Sequence, residues 1–215
     1  MVMKSFRYLL LFLLTIFLAG CRHPAPPPPP APVSFEEFLV QVQQERVGLR
    51  EKDLSAARKY LFTLVNDRIP EYWVGTAWDF NGTTRKPKEG WISCGYFVTN
   101  TLTDLGFPIE RVQLAQAPSS ELVHAVCTDV KWYSGFDNLL KYMNAAPSRS
   151  VHLVGLDAHT GYLTREKNKS YFIHANWRGV NKEWVDTCMA LKESKIFVVG
   201  SLTANDAMLQ RWVSN

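Results

Sequence analysis

The stretch HTGYLTREKNKSYFIH, His159 to His174, decides the fold. Two runs rich in Thr, Tyr, Phe and Ile flank the polar segment REKNK. β-Branched and aromatic residues fit a pleated surface and a polar segment between them reads as a turn, so the stretch predicts an antiparallel hairpin. With a four-residue loop, Arg165 to Asn168, Thr164 faces Lys169, and His159 faces His174 further out. Side chains directly opposed across a ladder have Cβ atoms about 5 Å apart. The two imidazoles then share one face. A slip of one residue on either strand would send His174 to the other face.

Working outward, SVHLVGLD (Ser150–Asp157) and KIFVVGSL (Lys195–Leu202) read as further strands. The segments upstream read as helices. SFEEFL opens one at Ser34 with a capping-box pattern. A second spans Leu54 to Asn66, with Leu54, Ala57, Leu61, Leu64 and Val65 on one face, and Pro70 is expected to end it. Glu71 to Trp91 reads as a long loop. Such loops in a compact domain tend to be functional. Further helices are expected at Cys94–Leu105, Ser119–Tyr133, Phe136–Ala145 and Asn205–Val213. Helices come first and an antiparallel sheet follows, which is an α+β arrangement.

In GWISCGYFVTNTL (Gly90–Leu102), Cys94 follows Ser93, a good N-cap residue, and so falls in the first turn of its helix. There the backbone N–H groups are unpaired and the helix dipole is positive. Both favour a thiolate, the nucleophilic form. A nucleophile needs a base and a group that orients it. Cys94, His159 and His174 together meet that requirement. The same three could ligate zinc, but there is no CxxC or HxxxH pair to support a metal, and no cofactor is expected. His124 and His152 read as an ordinary helix residue and an ordinary strand residue. Cys127 and Cys188 either pair with each other or are two small buried hydrophobes.

The chain starts MVMKSFRYLLLFLLTIFLAGC. Lys4 and Arg7 precede an apolar run from Tyr8 to Ala19, too short for a membrane span and suited to a secretory signal. Leu18-Ala19-Gly20-Cys21 resembles the bacterial lipobox, which implies a signal peptide over residues 1–20 and a diacylglyceryl anchor on Cys21. Arg22 stands where retention at the inner membrane would call for aspartate. That implies the periplasmic side of the outer membrane. Residues 21–33 form a proline-rich stalk, extended as polyproline II at about 3.1 Å per residue. Residues 34–215 suffice for one domain with its own core. The net charge is +4, of which the signal residues Lys4 and Arg7 account for two. No basic run is interleaved with aromatics, so nucleic acid is not an expected partner.

WDFNGTT, ISCGYFVTNTLTDLGF, VGLDAHTGYL and YFIHAN, within Trp73 to Trp177, together resemble the NlpC-type cell-wall cysteine peptidases, a papain-like superfamily. The resemblance implies a small sheet packed on the cysteine helix. It implies Cys94 as nucleophile, His159 as base, His174 as its orienter, and amide bonds of peptidoglycan peptides as substrate. The family commonly reads Asp-Cys-Ser where this chain reads Ser93-Cys94-Gly95. It commonly places a tyrosine in the upstream loop, where the nearest aromatic here is Trp78. Trp78, Gly95 and Tyr96 are the candidates for substrate or oxyanion contact, together with the Cys94 N–H. A non-catalytic wall-binding or scaffold lipoprotein, or a cysteine acyl or amide transferase, would use the same features.

Overall fold

The computed structural model describes residues 33–215. The signal segment, Cys21 and the prolines up to Pro32 lie outside the described residues. Among the described residues no helix is long and apolar enough to cross a membrane.

Six strands form one antiparallel sheet: β3 (Thr128–Ser134), β4 (Ser150–Gly155), β5 (Thr160–Glu166), β6 (Lys169–Asn176), β7 (Gly179–Trp184) and β8 (Ile196–Ser201). Their spatial order is β3-β8-β4-β5-β6-β7. A short parallel pair, β1 (Ala77–Trp78) and β2 (Trp91–Ile92), stands apart. Alternation along the strands gives the sheet two apolar faces. Val151, Leu153, Tyr162, Ile173 and Ala175 turn to one face. Against it pack α1 (Phe35–Val47), α2 (Leu54–Thr63), α4 (Cys94–Asp104), α6 (Ser119–Val126) and α9 (Asp206–Ser214). Val154, Leu163, Phe172, Phe197 and Val199 turn to the other face. There they meet α7 (Phe136–Ala145) and α8 (Met189–Glu193). The protein is thus mixed α+β.

The N-terminal capping box is present. Ser34 Oγ accepts from the Glu37 N–H and the Glu37 carboxylate accepts from the Ser34 N–H. Pro70 does not end the second helix. The chain runs on from α2 through a π turn (Leu64–Arg68) into α3 (Ile69–Trp73). A proline inside a helix leaves the carbonyl four residues back without its donor. Here that carbonyl belongs to Asn66, and Lys182 Nζ donates to it from β7 at 2.6 Å. A cation on a neighbouring strand replaces the missing N–H.

Two strands of the six-stranded sheet were hidden from the sequence, as was the short pair β1–β2. The expected helix Ser119–Tyr133 stops at Val126, and Cys127 turns extended (φ −108°, ψ 161°). β3 then runs along the sheet edge, with a bulge between Thr128 and Lys131 where Asp129 takes φ 52°. The strand at the opposite edge, β7, reads GVNKEW and is largely polar. Cys127 and Cys188 are free and buried, and they belong to the cores on opposite faces of the sheet. They are two small hydrophobes and not a disulfide.

Candidate active site

The long upstream loop is folded tightly onto the start of α4. Gly82 approaches Ile92 so closely that a Cβ would lie 2.5 Å from its nitrogen. The Ser93 N–H donates to Gly82 O at 2.9 Å. Ser93 is the N-cap, with extended backbone, but its side chain makes no capping hydrogen bond. The first-turn N–H groups of Cys94 and Gly95 turn to the Cys94 sulfur, as does the N–H of Thr160. Thr160 opens β5 and directly follows His159. This contact brings Cys94 beside the residue that follows His159. Both side chains also line one cavity of about 530 Å³.

The helix start does not leave Cys94 ionised. Burial raises the thiol above its ordinary range, and the three N–H groups only partly offset it. The resting sulfur is S–H, and it needs a base to attack.

The hairpin register differs from the expected one. Its loop has two residues, Lys167 and Asn168, and Glu166 pairs with Lys169. Lys167 supplies the positive φ, 53°, that the tight turn needs. His174 therefore faces Gly161, and His159 lies just outside the strand. The shift is by two, so the face is preserved and the imidazoles still meet. His159 Nε2 and His174 Nδ1 are 2.7 Å apart. The rings are nearly perpendicular at 75°. Gly161 makes this contact possible. A Cβ there would lie 2.7 Å from Ile173 O and 2.8 Å from His174 Cβ. Phe172 stacks on His174 with centroids 4.1 Å apart and meets His159 edge-on. With Nε2 committed to His174, Nδ1 is the His159 nitrogen left for another partner.

Burial pushes His159 down to about 4. It pushes His174 down to about 3, with the neighbouring His159 adding to the effect. Both are neutral at pH 7, as a proton acceptor must be. His152, whose place in a strand suggested an ordinary role, is a satisfied core residue. Its ring nitrogens bond Tyr142 OH at 2.8 Å and Ser150 Oγ at 2.9 Å. Burial lowers it to about 4. His124 is exposed on α6.

These buried imidazoles make stability depend on pH. In the unfolded chain they titrate near 6.5. Between that value and the folded one, the unfolded chain binds more protons, so stability rises with pH. The contribution is complete above about pH 6.5 and is lost progressively toward pH 4. At pH 5, His152, His159 and His174 each forgo about 2 kcal/mol, from about 1.5 units at 1.36 kcal/mol per unit. Urea unfolding at pH 7 and pH 5 should therefore differ by about 6 kcal/mol. A difference below about 1 kcal/mol would mean that the three rings do not enter the fold uncharged.

The three substrate candidates fare differently. Gly95 lines the cavity, but its missing Cβ makes room for Ala115 rather than for substrate. A Cβ would lie 2.3 Å from Ala115 O, in α5 (Arg111–Gln116). Tyr96 does not line the cavity. Its hydroxyl accepts from Gln116 Nε2 at 3.1 Å and Arg111 lies over its ring. Trp78 is also outside the cavity lining. Its indole nitrogen is buried and has no hydrogen-bond partner among the described residues. The cavity walls that sequence reasoning missed are largely apolar, with Phe80, Leu114, Trp132, Leu156 and Ile196. Asp157 at the rim caps the start of β8, accepting from the N–H groups of Lys195 and Ile196.

Sequence reasoning also missed Glu183. β7 pairs with β6 so that Glu183 faces Phe172 and Asn181 faces His174. Glu183 thus shares the face of the histidines, and Oε2 lies 3.7 Å from His174 Nε2. The signal was its place in the alternation of GVNKEW, legible only once that run is known to be a strand. The groups that converge as a ligand set are His174, Glu183 and Cys188, not Cys94 with the two histidines.

Comparison of the chain with protein-family models, with curated proteins and with solved structures finds no match in any of the three.

Proposed function

We propose that this chain is a papain-like cysteine hydrolase of the NlpC type, anchored through lipid on Cys21 at the periplasmic side of the outer membrane. It cleaves an amide bond in peptidoglycan peptides. The observation that carries this reading is the 2.7 Å bond between His159 and His174, with Cys94 held against the residue that follows His159.

The chemistry follows from those contacts. The neutral His159 takes the thiol proton on Nδ1 as the Cys94 sulfur attacks the scissile carbonyl carbon. An S–C bond forms and the carbonyl electrons move to oxygen. Backbone N–H groups at the start of α4, that of Cys94 first, receive the oxyanion. The intermediate collapses, the C–N bond breaks, and the leaving nitrogen takes the proton from His159. Water, activated by the same imidazole, then releases the acyl group and restores the thiol. His174 keeps the His159 ring turned.

Purified muropeptides separate the readings. The mature protein should release new fragments and the Cys94→Ala variant none. Retention of muropeptides without fragments would replace this reading by that of a wall-binding lipoprotein. The apolar walls around Phe80, Trp132 and Ile196 favour a second reading, transfer of an apolar acyl group to an acceptor. Fragments that appear only with an added amine acceptor would support it.

A further inference from the structure

We infer that Glu183 is a positioning residue. Its carboxylate fixes the tautomer of His174 and, through it, that of His159, so that Cys94, His159, His174 and Glu183 form one proton-ordered chain. The inference rests on the cysteine hydrolase reading and extends it.

The argument is an accounting of donors and acceptors. For His159 to accept the thiol proton on Nδ1, its own proton must sit on Nε2. That Nε2–H then donates to His174 Nδ1, the 2.7 Å contact. His174 in turn must carry its proton on Nε2. This atom is buried in a fully buried residue and has no hydrogen-bond partner among the described residues. A buried N–H without an acceptor is costly. The nearest carboxylate oxygen is Glu183 Oε2 at 3.7 Å, about 1 Å beyond a charge-assisted hydrogen bond. A small turn of the Glu183 side chain closes that gap.

Glu183 is itself supported. Arg178 Nη1 lies 4.0 Å from its other oxygen. The Cys188 sulfur lies within 4.8 Å of it, and the thiol is kept protonated, pushed up to about 12 by burial first and by Glu183 second. The chain also needs this charge. Once His159 takes the thiol proton, an imidazolium lies beside a second buried imidazole, and Glu183 is the anion that faces the pair. Asn181, opposite His174, carries no charge and bonds back to Asn176 and Gly179 O.

The test compares wild type, Glu183→Gln and Glu183→Ala, the glutamine being the isosteric variant that keeps the fold. Two readouts are taken: the pH–rate profile on muropeptides, and NMR titration of the His159 and His174 imidazoles. An anion raises the pKa of a facing imidazole, so removing it should move both titrations, and the acid limb of the rate profile, to lower pH. kcat should fall about tenfold in Glu183→Gln and about a hundredfold in Glu183→Ala, with KM within twofold. Unmoved titrations in Glu183→Gln would overturn the inference even if the enzyme is active. Moved titrations in a protein whose Cys94→Ala variant cleaves as well as wild type would sink the hydrolase reading and leave the grip of Glu183 on His174 intact. A third outcome is also decisive. His174 Nε2, Glu183 and Cys188 Sγ lie within 4.8 Å of one another. A metal on Nε2 would force the His174 proton onto Nδ1 and reverse the chain. If added Co²⁺ gives thiolate-to-cobalt absorption that Cys188→Ser abolishes, the cluster is a metal site and the positioning role falls.

Discussion

Alanine at Cys94 or at His159 is expected to lower muropeptide cleavage by at least about a thousandfold, and alanine at both is expected to lower it no further. A thousandfold is about 4 kcal/mol of barrier. The reason lies in the resting state of the sulfur. Burial holds it as a thiol, so in the proposed mechanism the nucleophile forms only when His159 removes the proton. Deleting the base therefore costs nearly what deleting the sulfur costs, and members of one catalytic unit are grossly non-additive. His174→Ala should cost less, about a hundredfold, because the base survives and only its orientation and tautomer are lost. A cysteine poised as a thiolate by the helix dipole alone would behave otherwise, with His159→Ala retaining a large fraction of activity. Steady-state rates of the three single variants and the double variant decide between the two. Additive losses for Cys94 and His159 would mean that they do not act together.

Several parts of this arrangement could be read from the residues, and the others were hidden for physical reasons. The cysteine helix was legible because Ser93 and Gly106 with Pro108 bracket an apolar run. The meeting of the histidines was legible through parity alone. The loop length was misjudged because REKNK lacks the Asn-Gly or Asp-Gly pair that marks a two-residue turn, and Lys167 adopts the positive φ in its place. An error of two residues leaves a face unchanged, so the pairing survived a wrong register. β3 was hidden because Leu122, Val126 and Val130 continue a helical spacing across a strand boundary. β7 was hidden because its polar residues have polar tasks: Glu183 approaches His174 diagonally, and Lys182 reaches the carbonyl that Pro70 leaves unpaired. A strand recruited for polar tasks loses the apolar alternation by which strands are recognised. Glu183 could not be proposed until that strand was known.

Gly95→Ala is expected to unsettle the fold and the site together. A Cβ at residue 95 would lie 2.3 Å from Ala115 O and 3.2 Å from Ala115 C. Both are backbone atoms and cannot swing aside as a side-chain tip could. α5 would have to shift away from α4, carrying with it Leu114 and Ala115 from the cavity wall. Overpacking of this kind costs about 1–3 kcal/mol and more where backbone must move, so a loss of about 3 kcal/mol is expected. The urea midpoint should fall with the slope unchanged, since the surface exposed on unfolding stays the same. Gly135→Ala is the contrasting case. Nothing lies within 4 Å of a Cβ there, and only its backbone, φ 79° and ψ 147°, opposes the substitution, at about 1–3 kcal/mol of strain. If Gly95→Ala costs less than about 1 kcal/mol, α5 is not packed on the start of α4 as described. The catalytic reading adds a second demand. The Gly95 N–H is one of three that hold the sulfur, so any refolded Gly95→Ala protein should also lose cleavage, whereas Gly135→Ala should keep it.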